Sequence, residues 1–368
     1  MIKILIVTNS SWNIFNFRTE LIEKIIKEKI KLIISCPIDE HIKKLDLKKF
    51  KFIPISYSRK SMSIFENIKI IFFYLYKINY EKPNILMLYT IKPNIFVSIS
   101  TLFYFKKIKI YNFITGIGSL YFESGLKKKF ILFLYKIAFL RSEKVIFQNI
   151  DDQNFFILKK IINKNKCIII PGSGIDTNKF KFLPYAQNKN KDFNFLCVAR
   201  LIKDKGIEEY ICAAELLIKE YPYAKFTLVG SIDHDYLNQL SYPTLEKMKL
   251  FINHVDFTND IIKFINHCDC FVLPSYREGT SRSLLEAASI GKPIVTTNVP
   301  GCNNIVFDNF NGYLCDPRSA ISLYKNLKKM INTDFKKREK MASNSRKLIE
   351  KQFDVKMINK KILKMIGI

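Results

Sequence analysis

The chain has 368 residues, 48% of them hydrophobic, which is too long for one ordinary core and enough for two domains that each bury their own. Sixty Lys and Arg residues against 33 Asp and Glu give a formal net charge of +27, which disfavours a cationic partner. Residues 1–170 carry 30 basic and 12 acidic side chains, a net +18, whereas residues 171–368 carry 30 and 21, a net +9. An anionic partner, a polyanion or an anionic lipid surface, is therefore expected at the first half.

The N-terminal segment MIKILIVTNSS begins directly with a strand pattern, and its apolar part is too short for a signal peptide. No stretch approaches the roughly 20 apolar residues of a membrane-spanning helix. The eight cysteines lack the spacing of a zinc site, and Cys268 and Cys270 are expected to be small buried residues of a strand. These features predict a cytoplasmic protein with reduced thiols that can still attach to the inner face of a membrane.

The first half alternates short apolar runs with segments of helical spacing. IKILIVT is followed by RTELIEKIIKEK, and KLIISCP, NILMLYT, KIYNFIT and KVIFQN continue the alternation to about residue 150. Strands that are apolar throughout and alternate with helices are typical of a parallel sheet covered on both faces. The pattern predicts a Rossmann-like domain over residues 1–171.

Residues 125–141, GLKKKFILFLYKIAFLR, form a predicted helix that begins with three lysines and is otherwise mostly apolar. Lys129 and Lys136 are seven positions apart and therefore share one stripe of the helix. The segment is too short and too charged to span a membrane. Two interpretations remain open: a core helix whose lysines extend to solvent, or a helix that lies in a lipid interface.

Pro, Gly and Asn interrupt the pattern after residue 170, and residues 172–192 are predicted to be a linker. A second strand–helix series, from FNFLCVAR to GYLCD, predicts another Rossmann-like domain over 193–351. A helical tail, about 352–368, is expected to pack back on the first domain. The predicted fold class is α/β, with two doubly wound domains that face each other across a cleft and bind ligands at the carboxyl ends of their strands.

The segment PSYREGTSRSLLEA, residues 274–287, places Glu278 in a loop after a strand and Glu286 near the start of a helix. Free backbone N–H groups of Thr280, Ser281 and Arg282 are expected to point into the cleft, where such groups attract phosphate. Carboxylates at that point suit hydroxyl groups better than phosphate. A Glu in the first helical turn explains Glu286 through the helix dipole, but it does not explain Glu278.

The segment CVARLIKDKG, residues 197–206, places Arg200 at the end of a strand and Lys205 five positions later. An Arg fork and a Lys point charge at one strand–helix turn are suited to a diphosphate. Two solvated surface cations would be the simpler interpretation of this loop alone. The pair of glutamates in the same half favours a site that binds a sugar and a diphosphate together.

These motifs, together with GKPIVTTNVPG, resemble the retaining glycosyltransferases of family 4, which have the GT-B fold. The segments NSSWNIFNFR, YTIKPNIF, NFITGIGSLY and NKNKCIIIPGSGIDTNKF resemble the bacterial subgroup that extends sugars linked to polyprenyl diphosphate. The resemblance implies a UDP-sugar donor, with UDP-GalNAc expected, and an undecaprenyl-diphosphate-linked acceptor in protein N-glycan assembly. A capsule, O-antigen or lipooligosaccharide transferase with another donor sugar is the alternative.

The resemblance also implies roles for individual residues. Arg200 and Lys205 hold the donor diphosphate, Glu286 binds the ribose, and Glu278 holds the hexose with the loop that follows it, Gly279, Thr280, Ser281 and Arg282. Thr115, Gly116 and Gly118 border the donor sugar, and Thr115 stands where many relatives have a histidine. Asp256 stands where relatives usually have Gly. No metal and no cofactor is expected, and Asp151–Asp152 are expected to cap a helix.

The basic first half is suited to the acceptor's diphosphate, and Arg18, Arg59 and Lys92 are the candidates to bind it. Two other classes of protein share individual features with this sequence. A non-hydrolysing nucleotide-sugar epimerase shares the fold but needs acid–base residues against the sugar ring, and none of the four histidines lies in an expected cleft loop. A nucleic-acid-binding protein is suggested only by the net charge, because the sequence contains no recognisable nucleic-acid module.

Overall fold

A computed structural model of the chain describes residues 2–57, 63–121, 123–186, 192–232 and 239–368. The chain divides into two compact units, one of residues 1–173 with 356–368 and one of residues 174–355. The division at 173/174 lies within the predicted linker, and the described residues 174–186 belong to the second unit. The C-terminal segment 356–368 belongs to the first unit, although the whole second unit, residues 174–355, separates this segment from residue 173 along the chain.

The first unit is built on a parallel sheet whose described strands have the order β3-β2-β1-β4-β5-β6-β7. The strands are β1 (Lys3–Val7), β2 (Lys31–Cys36), β3 (Lys51–Pro54), β4 (Ile85–Tyr89), β5 (Lys109–Ile114), β6 (Lys144–Phe147) and β7 (Cys167–Ile169). All five residues of β4 are buried, as both faces of a doubly wound sheet require. The chain order reverses between β1 and β4, which makes their carboxyl ends the switch point of this sheet.

Helices cover both faces of this sheet. They are α1 (Ser11–Phe17), α2 (Thr19–Lys27), α3 (Ile64–Glu81), α4 (Ser98–Ser100), α5 (Gly125–Ala138), α6 (Ile150–Leu158) and, from the C-terminus, α13 (Val355–Ile366). One buried cluster joins Leu21 of α2 and Ile358 and Ile362 of α13 to the strands. The buried side chains of α3 belong to a second cluster of this unit, and the buried side chains of α5 belong to a third.

The second unit contains a second parallel sheet, whose described strands have the order β10-β9-β8-β11-β12-β13. The strands are β8 (Phe193–Val198), β9 (Ala224–Val229), β10 (Asn253–Val255), β11 (Cys270–Leu273), β12 (Ile294–Thr297) and β13 (Gly312–Cys315). The helices are α7 (Ile207–Glu220), α8 (Tyr242–Phe251), α9 (Ile261–His267), α10 (Arg282–Ile290), α11 (Ala320–Ile331) and α12 (Phe335–Gln352). The switch point of this sheet lies between β8 and β11.

The predicted fold class, two doubly wound α/β domains, is confirmed. Cys268 and Cys270 are buried as expected, but only Cys270 lies in a strand, β11, because Cys268 is the C-cap of helix 261–267. The expectation that Asp151 and Asp152 cap a helix is wrong. Asn149 is the N-cap of α6, because its side chain accepts the N–H of Asp152 (2.8 Å) while both aspartates lie in the first turn. None of the helices in the described part of the chain is long and apolar enough to cross a membrane.

Candidate functional site

The loops after β8 and β11 lie side by side at the switch point of the second sheet. Both strands are parallel neighbours, so their carboxyl ends meet at one edge. The chain after β8 leads through Arg200 to a 3₁₀ turn, Lys203–Lys205, and then into α7. The chain after β11 leads through Ser275 and Glu278 to α10. This placement is where an open parallel sheet binds a ligand.

An ion pair between Lys205 and Glu278 joins these two loops. The Lys205 Nζ atom contacts the Glu278 Oε1 atom, and both side chains are mostly buried, 20% and 14% exposed. The buried Ser275 hydroxyl donates to the same carboxylate oxygen (2.9 Å) and also lies 3.1 Å from the carbonyl oxygen of Asp204. The structure therefore brings together two residues that the sequence separates by 73 positions. An ammonium group has three N–H donors, so Lys205 keeps capacity for an anion beside Glu278.

Backbone contacts hold the two loops in this arrangement. The N–H of Tyr276 donates to the Asp204 carbonyl (2.9 Å), and the N–H of Glu278 donates to the Pro300 carbonyl (3.0 Å). Gly206 has φ +69°, and a Cβ atom there would lie 2.0 Å from the carbonyl oxygen of Pro274. Only glycine allows this approach of α7 to the end of β11. These contacts fix the two loops relative to each other.

Glu286 lies one helical turn beyond Arg282 and is paired with it. The Arg282 Nε atom is 3.0 Å from the Glu286 Oε1 atom, and the Arg282 guanidinium also donates to the carbonyl of Gly174 (2.8 Å). Burial raises the pKa of Glu286, while the neighbouring charges of Arg282 and Lys179 oppose that rise. The prediction that Glu286 lies near the start of a helix is confirmed, because α10 begins at Arg282.

The expectation that the backbone N–H of Ser281 is free is wrong. It donates to the carbonyl of Gly301 (3.1 Å), and the Ser281 side chain caps α10 by accepting the N–H of Leu284 (3.5 Å). The close approach of the segment after β12 causes this pairing. Gly279 is buried and Thr280 is partly exposed in the same loop, so these two residues line the edge between Glu278 and the helix.

Arg200 and Asp256 lie at the same edge as the ion pair. Arg200 is exposed just after β8, and Asp256 is exposed just after β10. Between them, the His254 ring nitrogen Nε2 lies 2.9 Å from the carbonyl oxygen of Gly230, which follows β9. Sequence reasoning gave no role to His254, because its placement depends on the order of strands in the sheet.

In the first unit, Thr115, Gly116 and Gly118 follow β5 at its carboxyl end. Gly116 and Gly118 both have positive φ, +108° and +47°, which favours glycine. The intervening N–H of Ile117 donates to the carboxylate of the buried Asp152 (3.3 Å). Asp152 thus fixes this loop from α6, a function that its position in the sequence does not reveal.

The predicted acceptor residues Arg18 and Lys92 are buried near the β1–β4 switch point of the first sheet. The Arg18 guanidinium carbon lies 3.9 Å from the centre of the Tyr89 ring, at the end of β4. Lys92 follows β4 and pairs with Glu66 (2.8 Å). Arg59, the third candidate, lies outside the described residues.

Sequence reasoning missed Ser275, Gly301 and Cys302. Gly301 has φ +81°, and a Cβ atom there would lie 2.5 Å from atoms of Glu278. Burial raises the pKa of the Cys302 thiol to about 12, with a further contribution from Glu278, so the thiol stays neutral beside the carboxylate. Within the ranges that the structure describes, no group of three His, Cys, Asp or Glu side chains is placed to hold a metal ion.

Two family models match the chain. The model described as glycosyl transferases group 1 matches residues 179–348, and the model described as glycosyl transferase 4-like matches residues 3–149. The first covers the loops that carry Arg200, Lys205, Glu278 and Glu286. The second covers most of the first unit.

Two curated relatives act on undecaprenol-linked sugars, according to their names. The N,N'-diacetylbacillosaminyl-diphospho-undecaprenol alpha-1,3-N-acetylgalactosaminyltransferase of Campylobacter jejuni is 28% identical over 98% of this chain and 96% of its own length. The UDP-Gal:alpha-D-GlcNAc-diphosphoundecaprenol alpha-1,3-galactosyltransferase of Escherichia coli is 29% identical over 64% of this chain and 63% of its own. These matches confirm the predicted resemblance to the bacterial subgroup that extends sugars linked to polyprenyl diphosphate.

A solved structure with the same fold is HepE of Anabaena in complex with UDP and glucose. It superposes with a TM-score of 0.77 at 19% identity and covers 100% of both chains. At this identity the similarity concerns the fold alone, and it confirms the GT-B architecture that the sequence predicts.

We expect Gly301→Ala to lower the melting temperature more than Gly367→Ala does. Both glycines have positive φ, so both substitutions carry the backbone strain of an L residue, about 1–2 kcal/mol. Only at position 301 does the new methyl group also meet Glu278, whereas nothing lies within 4 Å of position 367. Calorimetric scans of the two variants and the wild type measure the difference, and an equal shift would contradict the close approach.

Proposed function

The chain belongs to the family 4 glycosyltransferases, which have the GT-B fold, and we propose that it transfers a sugar from a UDP-sugar to an undecaprenyl-diphosphate-linked acceptor with retention at the anomeric carbon. The observation that carries the proposal is the contact between Lys205 and Glu278 at the β8–β11 switch point. A cation for a diphosphate and a carboxylate for sugar hydroxyls lie next to each other there. This is the pairing of charges that a nucleotide-sugar needs.

The two cations after β8 meet the charge that develops on the leaving group. When the bond from the anomeric carbon to the phosphate oxygen breaks, its electron pair stays on the diphosphate. Lys205 and Arg200 stabilise that charge in a preorganised loop. The leaving phosphate then accepts the proton of the acceptor hydroxyl, whose oxygen forms the new bond on the same face of the sugar. The transfer therefore needs neither a metal ion nor a carboxylate nucleophile.

The two glutamates divide the donor between them. Glu286, on the first turns of α10, accepts hydrogen bonds from the ribose, and Arg282 releases part of the carboxylate when the nucleotide binds. Glu278 accepts from the hexose, together with the loop of Gly279, Thr280 and Ser281. The support for this division is their placement, since Glu278 contacts the diphosphate-binding Lys205 while Glu286 lies further along α10.

We also propose substrate-binding roles for residues of the first unit. Thr115, Gly116 and Gly118 border the donor sugar from the loop after β5. Arg18, Arg59 and Lys92 bind the diphosphate of the acceptor. Arg18 and Lys92 lie near the switch point of the first sheet, which supports the assignment because open parallel sheets bind ligands there.

N-acetylgalactosamine is the proposed donor sugar. The similarity to the Campylobacter jejuni transferase over nearly the whole of both chains supports it. The Escherichia coli relative is named as a galactosyltransferase, so a transferase for capsule, O-antigen or lipooligosaccharide with another hexose is the alternative. The residues that contact the hexose decide between them, and a panel of donors distinguishes them directly.

The proposed location is the cytoplasmic face of the inner membrane, where a lipid-linked acceptor presents its diphosphate. Helix α5 supports peripheral attachment, because Leu126, Phe130 and Phe133 are exposed on it beside Lys129 and Lys136. Only Tyr135 and Ala138 of this helix are fully buried. Lysines near an anionic surface contribute about 1 kcal/mol each to such attachment.

Incubation with a panel of UDP-sugars and an undecaprenyl-diphosphate-linked N-acetylhexosamine tests the function. We expect transfer from UDP-GalNAc, a product with the donor's anomeric configuration, and full activity in EDTA, because Arg200 and Lys205 replace a metal ion. Chromatography of the lipid product and the coupling constant of its new anomeric proton measure both properties. Transfer from none of the donors would overturn the proposal, and complete loss in EDTA that Mg²⁺ restores would overturn the metal-independent step.

We expect Arg200→Ala and Lys205→Ala each to lower turnover by about 10²–10³-fold, as the loss of one preorganised donor does elsewhere. Lys203→Ala is the matched control, because Lys203 is an exposed cation of the same turn whose Nζ lies 3.7 Å from Glu208. Steady-state rates at saturating donor give the comparison. Near wild-type rates in both site variants would remove the diphosphate assignment.

We expect Glu286→Ala to weaken UDP binding by about tenfold or more, since it removes charged hydrogen bonds to the ribose. Glu278→Ala should leave UDP affinity unchanged or higher, because it frees Lys205 for the diphosphate, while it lowers the affinity for the intact UDP-sugar. Titration calorimetry with UDP alone and then with the UDP-sugar separates the two effects. Equal losses of UDP affinity in the two variants would contradict the division.

A further inference from the structure

Helix α3 exposes a largely apolar face to solvent. Eight of its 18 residues are exposed, and only one of these, Lys69, is charged. Six of the eight are apolar or aromatic and define the aromatic face: Ile64, Phe65, Ile68, Phe72, Tyr76 and Tyr80. Phe65 is 80% exposed and Phe72 is 65% exposed. Large apolar side chains gathered on one exposed face mark an interaction site.

Helix α12 of the same chain shows that this composition is not a general property of the sequence. It also has 18 residues, of which eight are exposed. Seven of those are Lys or Glu and the eighth is Gln352. That is the usual solvent-facing surface of a helix that packs on a domain. The two helices have the same length and the same number of exposed residues, so the apolar character of α3 is specific to its position.

The apolar surface continues from α3 toward α5. Residues 93–103 pack against both helices and thus lie between them. Phe103, the last residue of this segment, is 57% exposed, and Phe105, two positions later, is 96% exposed. Helix α5, which also contacts this segment, exposes Leu126, Phe130 and Phe133.

Positive charge surrounds this surface. Residues 64–141 contain 12 Lys or Arg and only three acidic residues. Each of the three is engaged, since Glu66 pairs with Lys92, Glu81 with Lys51 and Glu123 with Lys127. The exposed lysines of this range are Lys69, Lys82, Lys106, Lys107, Lys109, Lys127, Lys129 and Lys136. An apolar patch bordered by cations is complementary to lipid chains beneath anionic headgroups.

We propose that the aromatic face of α3 inserts into the boundary between headgroups and acyl chains of an anionic bilayer, while the lysines of α5 contact the headgroups. The proposal rests on the proposed function, because a lipid-linked acceptor must be reached from the membrane surface. A second copy of this chain is the less favourable occupant, since both copies would bring the same excess of positive charge to the interface.

The two helices contribute forces that respond differently to salt. Attraction of the α5 lysines to headgroups is screened, because the Debye length falls from about 10 Å at 0.1 M salt to about 3 Å at 1 M. Burial of the α3 side chains is an apolar transfer that salt does not screen. Membrane binding should therefore have one component that high salt removes and one that it leaves.

Vesicle flotation at about 0.1 M and about 1 M NaCl tests whether membrane binding has these two components, because the Debye length differs about threefold between the two salt concentrations. The vesicles contain phosphatidylglycerol and phosphatidylethanolamine without any lipid-linked sugar. We expect Lys127→Glu, Lys128→Glu and Lys129→Glu together to remove mainly the binding at low salt. Phe65→Ser, Phe72→Ser and Tyr76→Ser together should reduce the binding that persists at high salt by about tenfold or more. Tyr242→Ser with Leu250→Ser, equally exposed residues of the second unit, is the control that should float like the wild type.

Failure of the wild type to float, or wild-type flotation of the α3 variant at both salt concentrations, would overturn the proposal. So would a wild-type dimer in sedimentation that the α3 variant converts to monomer without a change in flotation, because α3 would then be a protein interface. A melting temperature near that of the wild type shows that the α3 variant is folded. Flotation of a protein that has no transfer activity would contradict the proposed function but not the membrane insertion of α3. Transfer to a detergent-dispersed acceptor by a protein that does not float would contradict the membrane insertion of α3 but not the proposed function.

Discussion

The ion pair between Lys205 and Glu278 is the interaction on which the organisation of the second unit's site depends. It joins the loops after two neighbouring strands at the place where the chain order of the sheet reverses. Partial burial strengthens the attraction between the two charges and makes the loss of either partner costly, because the remaining charge would be left without its partner. Ser275 donates a further hydrogen bond to the carboxylate. These contacts therefore fix the positions of the two charges relative to each other.

Small residues make this arrangement possible. Gly206 allows the start of α7 to approach Pro274, and Gly301 allows the chain after β12 to approach Glu278. The same segment takes up the backbone N–H groups of Glu278 and Ser281. The diphosphate binding that we propose therefore relies less on the backbone N–H groups before α10 than the sequence predicts, and more on the side chains of Lys205 and Arg200. The proposed catalysis by preorganised cations needs this rigidity, because loops that reorganise during reaction would lose part of the stabilisation.

The first unit has a different distribution of charge and apolar surface. Its α3 and α5 expose Phe, Tyr and Leu side chains, and the acidic residues nearby are neutralised by lysines. The second unit covers α12 with charged residues. The contrast follows the division of labour that we propose, in which the second unit holds a water-soluble donor and the first unit approaches a lipid-linked acceptor. It also accounts for the excess of positive charge in the first half of the sequence.

The sequence by itself determined the fold class, because fully buried parallel strands are continuous apolar runs. It also predicted Arg200, Lys205, Glu278 and Glu286 as candidate site residues, because they follow such runs at short distances. Only the tertiary structure decided how these residues meet. Strand order places Lys205 against Glu278, and the chain after β12 takes up the N–H of Ser281. Asp152 was assigned to a helix cap, yet its carboxylate holds the loop at Ile117. The aromatic face of α3 could not be predicted from the sequence either, because which apolar side chains of a helix are exposed depends on the elements that pack against it.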